Sequence, residues 1–134
     1  MSGKILLEVV SPQRMVYKEE VDSFTIPGTL GYLGILPNHA PIISSLNIGV
    51  LTIKKDGTED KIALNGGFLE VSHNKAVVLA ETAELASDID LKRAESAKER
   101  AELRLAKPKE KDDLLRAEMA LKRALTRIRT VRGE

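Results

Sequence analysis

VLTIKKDGTEDKIALNGGFLEVSHNKAVVLA, residues 50–80, is a run of short aliphatic and β-branched segments broken by turn dipeptides. Val50 to Lys54 and Lys61 to Leu64 flank Asp56-Gly57, a pair that tolerates the positive φ of a tight hairpin. Phe68 to Val71 and Ala76 to Ala80 bracket His73-Asn74 in the same way. Working outward, Ile5, Leu7 and Val9 alternate with Leu6, Glu8 and Val10 in a first strand, and Val21 to Ile26 reads as another that ends at Pro27-Gly28. Strands this short and this regularly spaced predict a mainly β N-terminal domain, a sandwich or barrel-like fold, over residues 1–84.

From Ser87 the hydrophobic period becomes helical. Ser87 is placed to cap a first helix, with Asp90 three residues on, and that helix is expected to run to about Ala106, where Lys107-Pro108 interrupts it. A second helix is expected from Asp112 or Asp113, with the stripe Leu114, Ala117, Leu121, Ala124, Leu125, Ile128 and Val131, ending at Gly133. So short a link, about residue 109, predicts an antiparallel α-helical hairpin over residues 85–134. Its first helix offers mainly Ala94, Ala97, Ala101 and Leu105, and alanines bury little area, so the expected docking is weak.

The 134 residues have room for one ordinary core and an appendage. No cysteine is present, which excludes disulfides, thiolate metal sites and thiol nucleophiles. No run of about 18 apolar residues occurs, so membrane association is expected only through partners. The net charge of +1 hides an asymmetry: residues 1–86 hold 7 Lys/Arg and 10 Asp/Glu, residues 87–134 hold 14 and 10. The basic tail has no aromatic ring with which to stack on bases, the last being Phe68, so an acidic protein surface is the expected partner and nucleic acid is not.

An active site is not legible. The two histidines, His39 and His73, stand apart without cysteine, so no metal site is expected. Neither a Gly-x-Ser-x-Gly nucleophile elbow nor a Gly-x-x-x-x-Gly-Lys phosphate loop occurs. Gly28, Gly31 and Gly34 read as turn and close-approach glycines. The chain reads as an interaction module without catalytic residues.

Two longer segments carry a family resemblance. Gly31-Tyr32-Leu33-Gly34-Ile35-Leu36-Pro37-Asn38-His39-Ala40-Pro41 and Gly66-Gly67-Phe68-Leu69-Glu70-Val71 resemble the signature segments of the epsilon subunit of bacterial and chloroplast F-type ATP synthases. The β-first, helices-second order and the length agree. The resemblance implies a flattened ten-stranded β-sandwich followed by the helical hairpin, and a non-catalytic rotor subunit at the cytoplasmic face of the bacterial membrane. Its implied partners are the gamma subunit, the c-ring and, for an extended arm that opposes ATP hydrolysis, the acidic region of the catalytic beta subunits. It also implies a partner-binding loop at Leu36, Pro37, Asn38 and His39. The coupling ion and the position of the arm are not legible.

The resemblance reaches further at the start of the first helix. Ile89, Asp90, Arg93 and Ala94 match the Ile-Asp-x-x-Arg-Ala segment through which some bacterial members bind ATP, and Glu84, Arg100, Arg123 and Arg127 fill the remaining positions. ATP, with magnesium, is thus implied as a regulatory ligand, and no cofactor is obligatory. Helical spacing adds to this: Asp90, Arg93, Ala94, Ala97 and Arg100 share one face, as do Arg123 and Arg127. A second reading, of a different class, is a free-standing ATP-sensing module; co-purification with gamma separates the two.

Overall fold

The computed structural model describes residues 3–107 and 111–133, and the side chains of all of these except 111 and 112. Eight strands come first: β1 (Ile5–Val10), β2 (Met15–Val21), β3 (Ser23–Gly28), β4 (Gly31–Ile35), β5 (Ile42–Lys55), β6 (Thr58–Ser72), β7 (Lys75–Ala80) and β8 (Ala83–Leu85). A 3₁₀ turn at Ala86–Asp88 leads to helices α1 (Leu91–Ala106) and α2 (Lys111–Arg132). Pro108 and the hairpin tip at residue 109 lie outside the described residues.

The strands form two layers because β5 and β6 are long enough to serve both. Their pairing skips Asn47, between Leu46↔Gly67 and Ile48↔Asn65, where β6 carries Gly66 and Gly67 at positive φ. One layer runs β2-β1-β7 to the second half of β6 and the first half of β5; the other runs β4-β3 to the second half of β5, the first half of β6 and β8. Counting each half of β5 and β6 separately gives the ten strands expected. Lys61–Leu64 and Phe68–Val71, which the sequence presented as separate short strands, are therefore parts of one 15-residue strand, and the segment expected over Val50–Lys54 is the second half of a 14-residue strand; both strands bend at glycine-containing points.

Both hairpins occur as expected. Asp56 and Gly57 have φ of 49° and 80°, and His73 and Asn74 of 51° and 58°, the left-handed pair that suits the twist of the flanking strands. Between the layers lies a core of alternating residues, among them Ile5, Leu7, Val9, Phe24, Ile26, Leu51, Ile53, Ile62, Leu64, Leu69, Val71 and Val78. Among the described residues, none from the helices belongs to that core.

The helices fold back on one another with a seam made mostly of small residues. Ala94 and Ala101 of α1 and Ala117, Ala124 and Ile128 of α2 are buried. A buried methyl group contributes on the order of 0.8 kcal/mol, against roughly 1.5–3 kcal/mol for a fully buried Leu or Ile, so the seam is a weak one. Leu114 is exposed and Leu121, Leu125 and Val131 are only half-buried, while the stripe missed Thr126 and Thr130, which are buried. The reason is that α2 has two neighbours. It packs on α1 and also on β5 and β6, where Ile48, Val50 and Ala63, outward-facing residues outside the sandwich core, are 7%, 8% and 5% exposed.

The cap of α1 also differs from expectation. Ser87 lies in the 3₁₀ turn, and the chain extends again at Ile89 (φ −90°, ψ 126°). Asp90, extended at φ −83° and ψ 106°, is the N-cap: its carboxylate accepts from the Arg93 backbone N–H at 3.1 Å. Gly133 closes α2 at φ 75°, as expected. Among the described residues no helix is long and apolar enough to cross a membrane.

Candidate functional site: an arginine-lined cleft between arm and sandwich

Three elements converge where the arm meets the β-domain. β8 alternates, so Ala83 turns into the sandwich while Glu84, paired with Ala63, turns out beneath α2. The 3₁₀ turn and the Asp90 cap then place the first turn of α1 beside it, and α2 returns antiparallel along α1. Between them lies a cleft of about 350 Å³ lined by Glu84, Asp88, Ile89, Asp90, Arg93, Ala94, Ala97, Arg100 and Arg127. That volume lies within the range of small-ligand clefts, roughly 300–1,000 Å³.

Seven of the eight residues singled out from sequence thus line one cleft. The eighth, Arg123, lines a small neighbouring cavity that shares Glu84 and Arg127. Asp88 and Ala97 complete the cleft; Ala97 already stood on the matching helical face, whereas Asp88 precedes the helix and carried no periodic signal. Arg127 Nε donates to Glu84 Oε1 at 2.6 Å in a half-buried pair. Asp88 Oδ2 accepts from Arg14 Nη2, on the β1–β2 turn, at 3.2 Å. Arg132 Nη2 donates to Glu95 Oε2 at 3.3 Å and holds the end of α2 against the start of α1.

Chemically, the cleft offers guanidinium forks from both helices around the small wall of Ala94 and Ala97. Such forks suit phosphate oxygens, which they can engage in bidentate fashion. Arg93 and Arg100 are exposed and make no ion pair among the described residues. No group of three or more His, Cys, Asp or Glu side chains that could hold a metal occurs among the described residues, so magnesium fits here only as a companion of a phosphate ligand.

The loop Leu36, Pro37, Asn38 and His39 joins β4 to β5 on a different part of the domain. Asn38, at φ 63°, donates its backbone N–H to Asn74 Oδ1 at 2.8 Å, and His39 turns its ring back on the Ala40 carbonyl at 2.6 Å from Nδ1. Leu36 is 64% exposed, so the loop is pinned to the β6–β7 turn while presenting an aliphatic tip. Sequence reasoning missed another feature. Met15, Val10, Leu79 and Phe68 sit side by side on β2, β1, β7 and β6, facing away from the core; Met15, Leu79 and Phe68 are exposed. The signal was present in the alternation of each strand, but only the pairing register brings the four into a row.

Comparison with known proteins agrees with this architecture. The family model described as the ATP synthase delta/epsilon chain β-sandwich domain matches residues 4–86, and that of the delta/epsilon chain long α-helix domain matches residues 87–132. The ATP synthase epsilon chain of Desulfitobacterium hafniense strain Y51 is 52% identical over 133 residues, covering 99% of this chain and 100% of the relative. That of Nitratidesulfovibrio vulgaris strain DP4 is 51% identical, covering 99% and 98%. Among solved structures, a chain of the Euglena gracilis mitochondrial ATP synthase (OSCP/F1/c-ring) superposes with a TM-score of 0.80 at 23% identity, covering 90% of this chain and 76% of that one, a likeness of fold. The chain belongs to the ATP synthase delta/epsilon chain family and, with relatives this similar end to end, is a non-catalytic stalk subunit of that complex.

Proposed function

We propose that this chain is the epsilon-type rotor subunit of a bacterial F-type ATP synthase whose arm is held against the sandwich by ATP. In this reading the β-domain, residues 1–84, folds on its own and joins gamma to the c-ring at the cytoplasmic face of the membrane. The arm, residues 85–134, opposes ATP hydrolysis when it extends toward the acidic region of the catalytic beta subunits. The row of Met15, Val10, Leu79 and Phe68 supports a docking face on the sandwich, since contiguous exposed apolar residues favour a protein partner. We assign that face to gamma and the Leu36–His39 loop to the partner surface toward the ring. The basic tail suits an acidic partner for the extended arm.

The observation that carries the nucleotide part is the cleft itself. Arg93 and Arg100 come from α1, Arg127 from α2 and Glu84 from β8, so the cleft is complete only while the hairpin is closed and docked. A triphosphate bridging these groups would stabilise the docked arm. The neighbouring Arg123 extends the cationic side, and Ile89, Asp90 and Ala94 wall the part left for the nucleoside.

Calorimetric titration of the full chain with ATP and magnesium tests this. Losing one charge-assisted phosphate contact costs about 1.5–3 kcal/mol, so Arg93→Ala and Arg127→Ala are expected to weaken binding by about ten- to a hundredfold. Absence of binding heat in the wild type at millimolar ATP would remove the nucleotide from the account, leaving the arginines as contacts for the acidic partner.

A further inference from the structure

The cleft described above is balanced within itself: Glu84, Asp88 and Asp90 stand against Arg93, Arg100 and Arg127. A second cleft, of about 360 Å³, is not. It lies between α2, the β3–β4 hairpin and the bend of β5, and its charged lining residues are Lys122 and Arg129, with no carboxylate among them. Lys122, Thr126 and Arg129 recur at i, i+4 and i+7 and so form one stripe of α2. The stripe of Arg123, Arg127 and Thr130 lies roughly 100° further round the helix. One helix thus presents cations to two clefts, and only the first of these is also lined by acids.

The hydrogen bonds around the second cleft leave it rich in donors. Lys122 Nζ donates to Asn47 Oδ1 at 2.9 Å, and the same oxygen accepts the Ile48 N–H at 2.8 Å. These two donors orient the amide with its Nδ2 group left to give. The Tyr32 hydroxyl oxygen accepts from the Val50 N–H at 3.3 Å, which leaves its own O–H as a donor. The wall behind is closely packed: a Cβ on Gly49 would stand 2.7 Å from Pro27 Cβ and 2.8 Å from Tyr32 Oη. An ammonium, a guanidinium, an amide and a phenol therefore border one concavity, and a ligand made of acceptors matches them all.

We propose that this second cleft binds a small oxyanion of the phosphate type, and that the bound anion clamps α2 to the sandwich. The clamp follows from the origin of the groups, since Lys122 and Arg129 belong to the arm and Tyr32 and Asn47 to the β-domain. A ligand that touches both sides favours the docked state over any state in which they separate. The site is independent of the nucleotide cleft and stands whether or not ATP binds there.

The test is an amide NMR titration of the full chain with inorganic phosphate at constant ionic strength, with chloride as the control. Saturable shifts are expected at Gly49, Val50 and Thr126, with half-saturation of roughly millimolar order. Lys122→Gln, which keeps a donor for Asn47, and Arg129→Gln are each expected to raise the half-saturation concentration by about tenfold. Arg93→Ala is expected to leave it unchanged. Shifts that chloride reproduces, or that persist in the Lys122→Gln/Arg129→Gln double variant, would overturn the proposal. So would shifts confined to Arg93 and Ala94 that vanish in Arg93→Ala, since they would place the anion in the first cleft.

Discussion

Gly67 and Gly34 stand in the two segments that carry the family resemblance, but their surroundings differ. Gly67 has φ of 131°, and a Cβ there would collide with the Leu79 carbonyl oxygen and lie 2.9 Å from Ala80 Cα, both backbone groups of β7 that cannot turn aside. Gly34 has an ordinary φ and nothing within 4 Å, so the close-approach role read from its sequence neighbours does not hold for it. Gly67→Ala is therefore expected to destabilise the chain by at least about 1–3 kcal/mol in urea unfolding, and Gly34→Ala to change stability by no more than about 0.5 kcal/mol. Tyr17 makes a case of the opposite sign. Its hydroxyl is buried without a hydrogen-bond partner among the described residues, and burial, with Asp60 and Glu19 nearby, pushes its pKa up to about 12. Removing an unpaired buried hydroxyl relieves its desolvation cost, so Tyr17→Phe is expected to raise the unfolding free energy by up to about 1 kcal/mol. The hairpin residues Asp56, Gly57, His73 and Asn74 were legible because their conformation is dictated locally. Tyr17 and Gly67 were not, because what they meet comes from strands distant in sequence.

At the level of elements, the contrast between the sandwich and the arm rests on what each buries. The sandwich core uses Phe24 and a set of Ile, Leu and Val residues, whereas the buried residues of the helices are four alanines, Ile128, Thr126 and Thr130. A chain lacking residues 87–134 is accordingly expected to unfold cooperatively by circular dichroism. It should lose only the cover over Ile48, Val50 and Ala63; a non-cooperative transition would contradict the division into two units. The helices were legible in outline: the change of period, the stop at Ala106 and the closing Gly133 are local signals. The cap was misread because Ser87 and Asp90 both satisfy the N-cap rule, and the extended Ile89 between them selects Asp90. The stripe on α2 was misread because a helix with two neighbours buries two faces, and periodicity scores only apolar residues, so Thr126 and Thr130 went unseen. The continuity of β6 was hidden for a related reason, since a glycine pair weakens a strand pattern in sequence, whereas Gly66-Gly67 serves as a bend within one strand of the structure.

For the whole molecule, the arrangement describes a stable sandwich with a weakly packed arm held by polar contacts at its margins: Arg127–Glu84, Arg14–Asp88 and Lys122–Asn47. Exposed ion pairs contribute roughly 0–1 kcal/mol each and a single hydrogen bond about 0.5–1.5 kcal/mol, so the docked position rests on several small contributions, the half-buried Arg127–Glu84 pair among them, and is open to control by a ligand. The arginine-lined cleft could be assembled in outline from sequence because helical spacing and the resemblance pointed to the same residues. The second cleft could not, because Tyr32 and Asn47 meet Lys122 only once the arm is docked. The central claim, that ATP holds the arm down, is tested most directly by hydrogen exchange of the α1 and α2 amides with and without ATP and magnesium. At a hundredfold excess of ATP over its Kd the docked state gains about 2.7 kcal/mol, so amides that exchange through arm opening are expected to slow by about a hundredfold. In Arg93→Ala, with affinity about ten- to a hundredfold lower, the slowing at the same ATP concentration should fall to about two- to tenfold, with the β-domain amides unaffected. Exchange of the wild-type helices that is the same with and without millimolar ATP would contradict the claim.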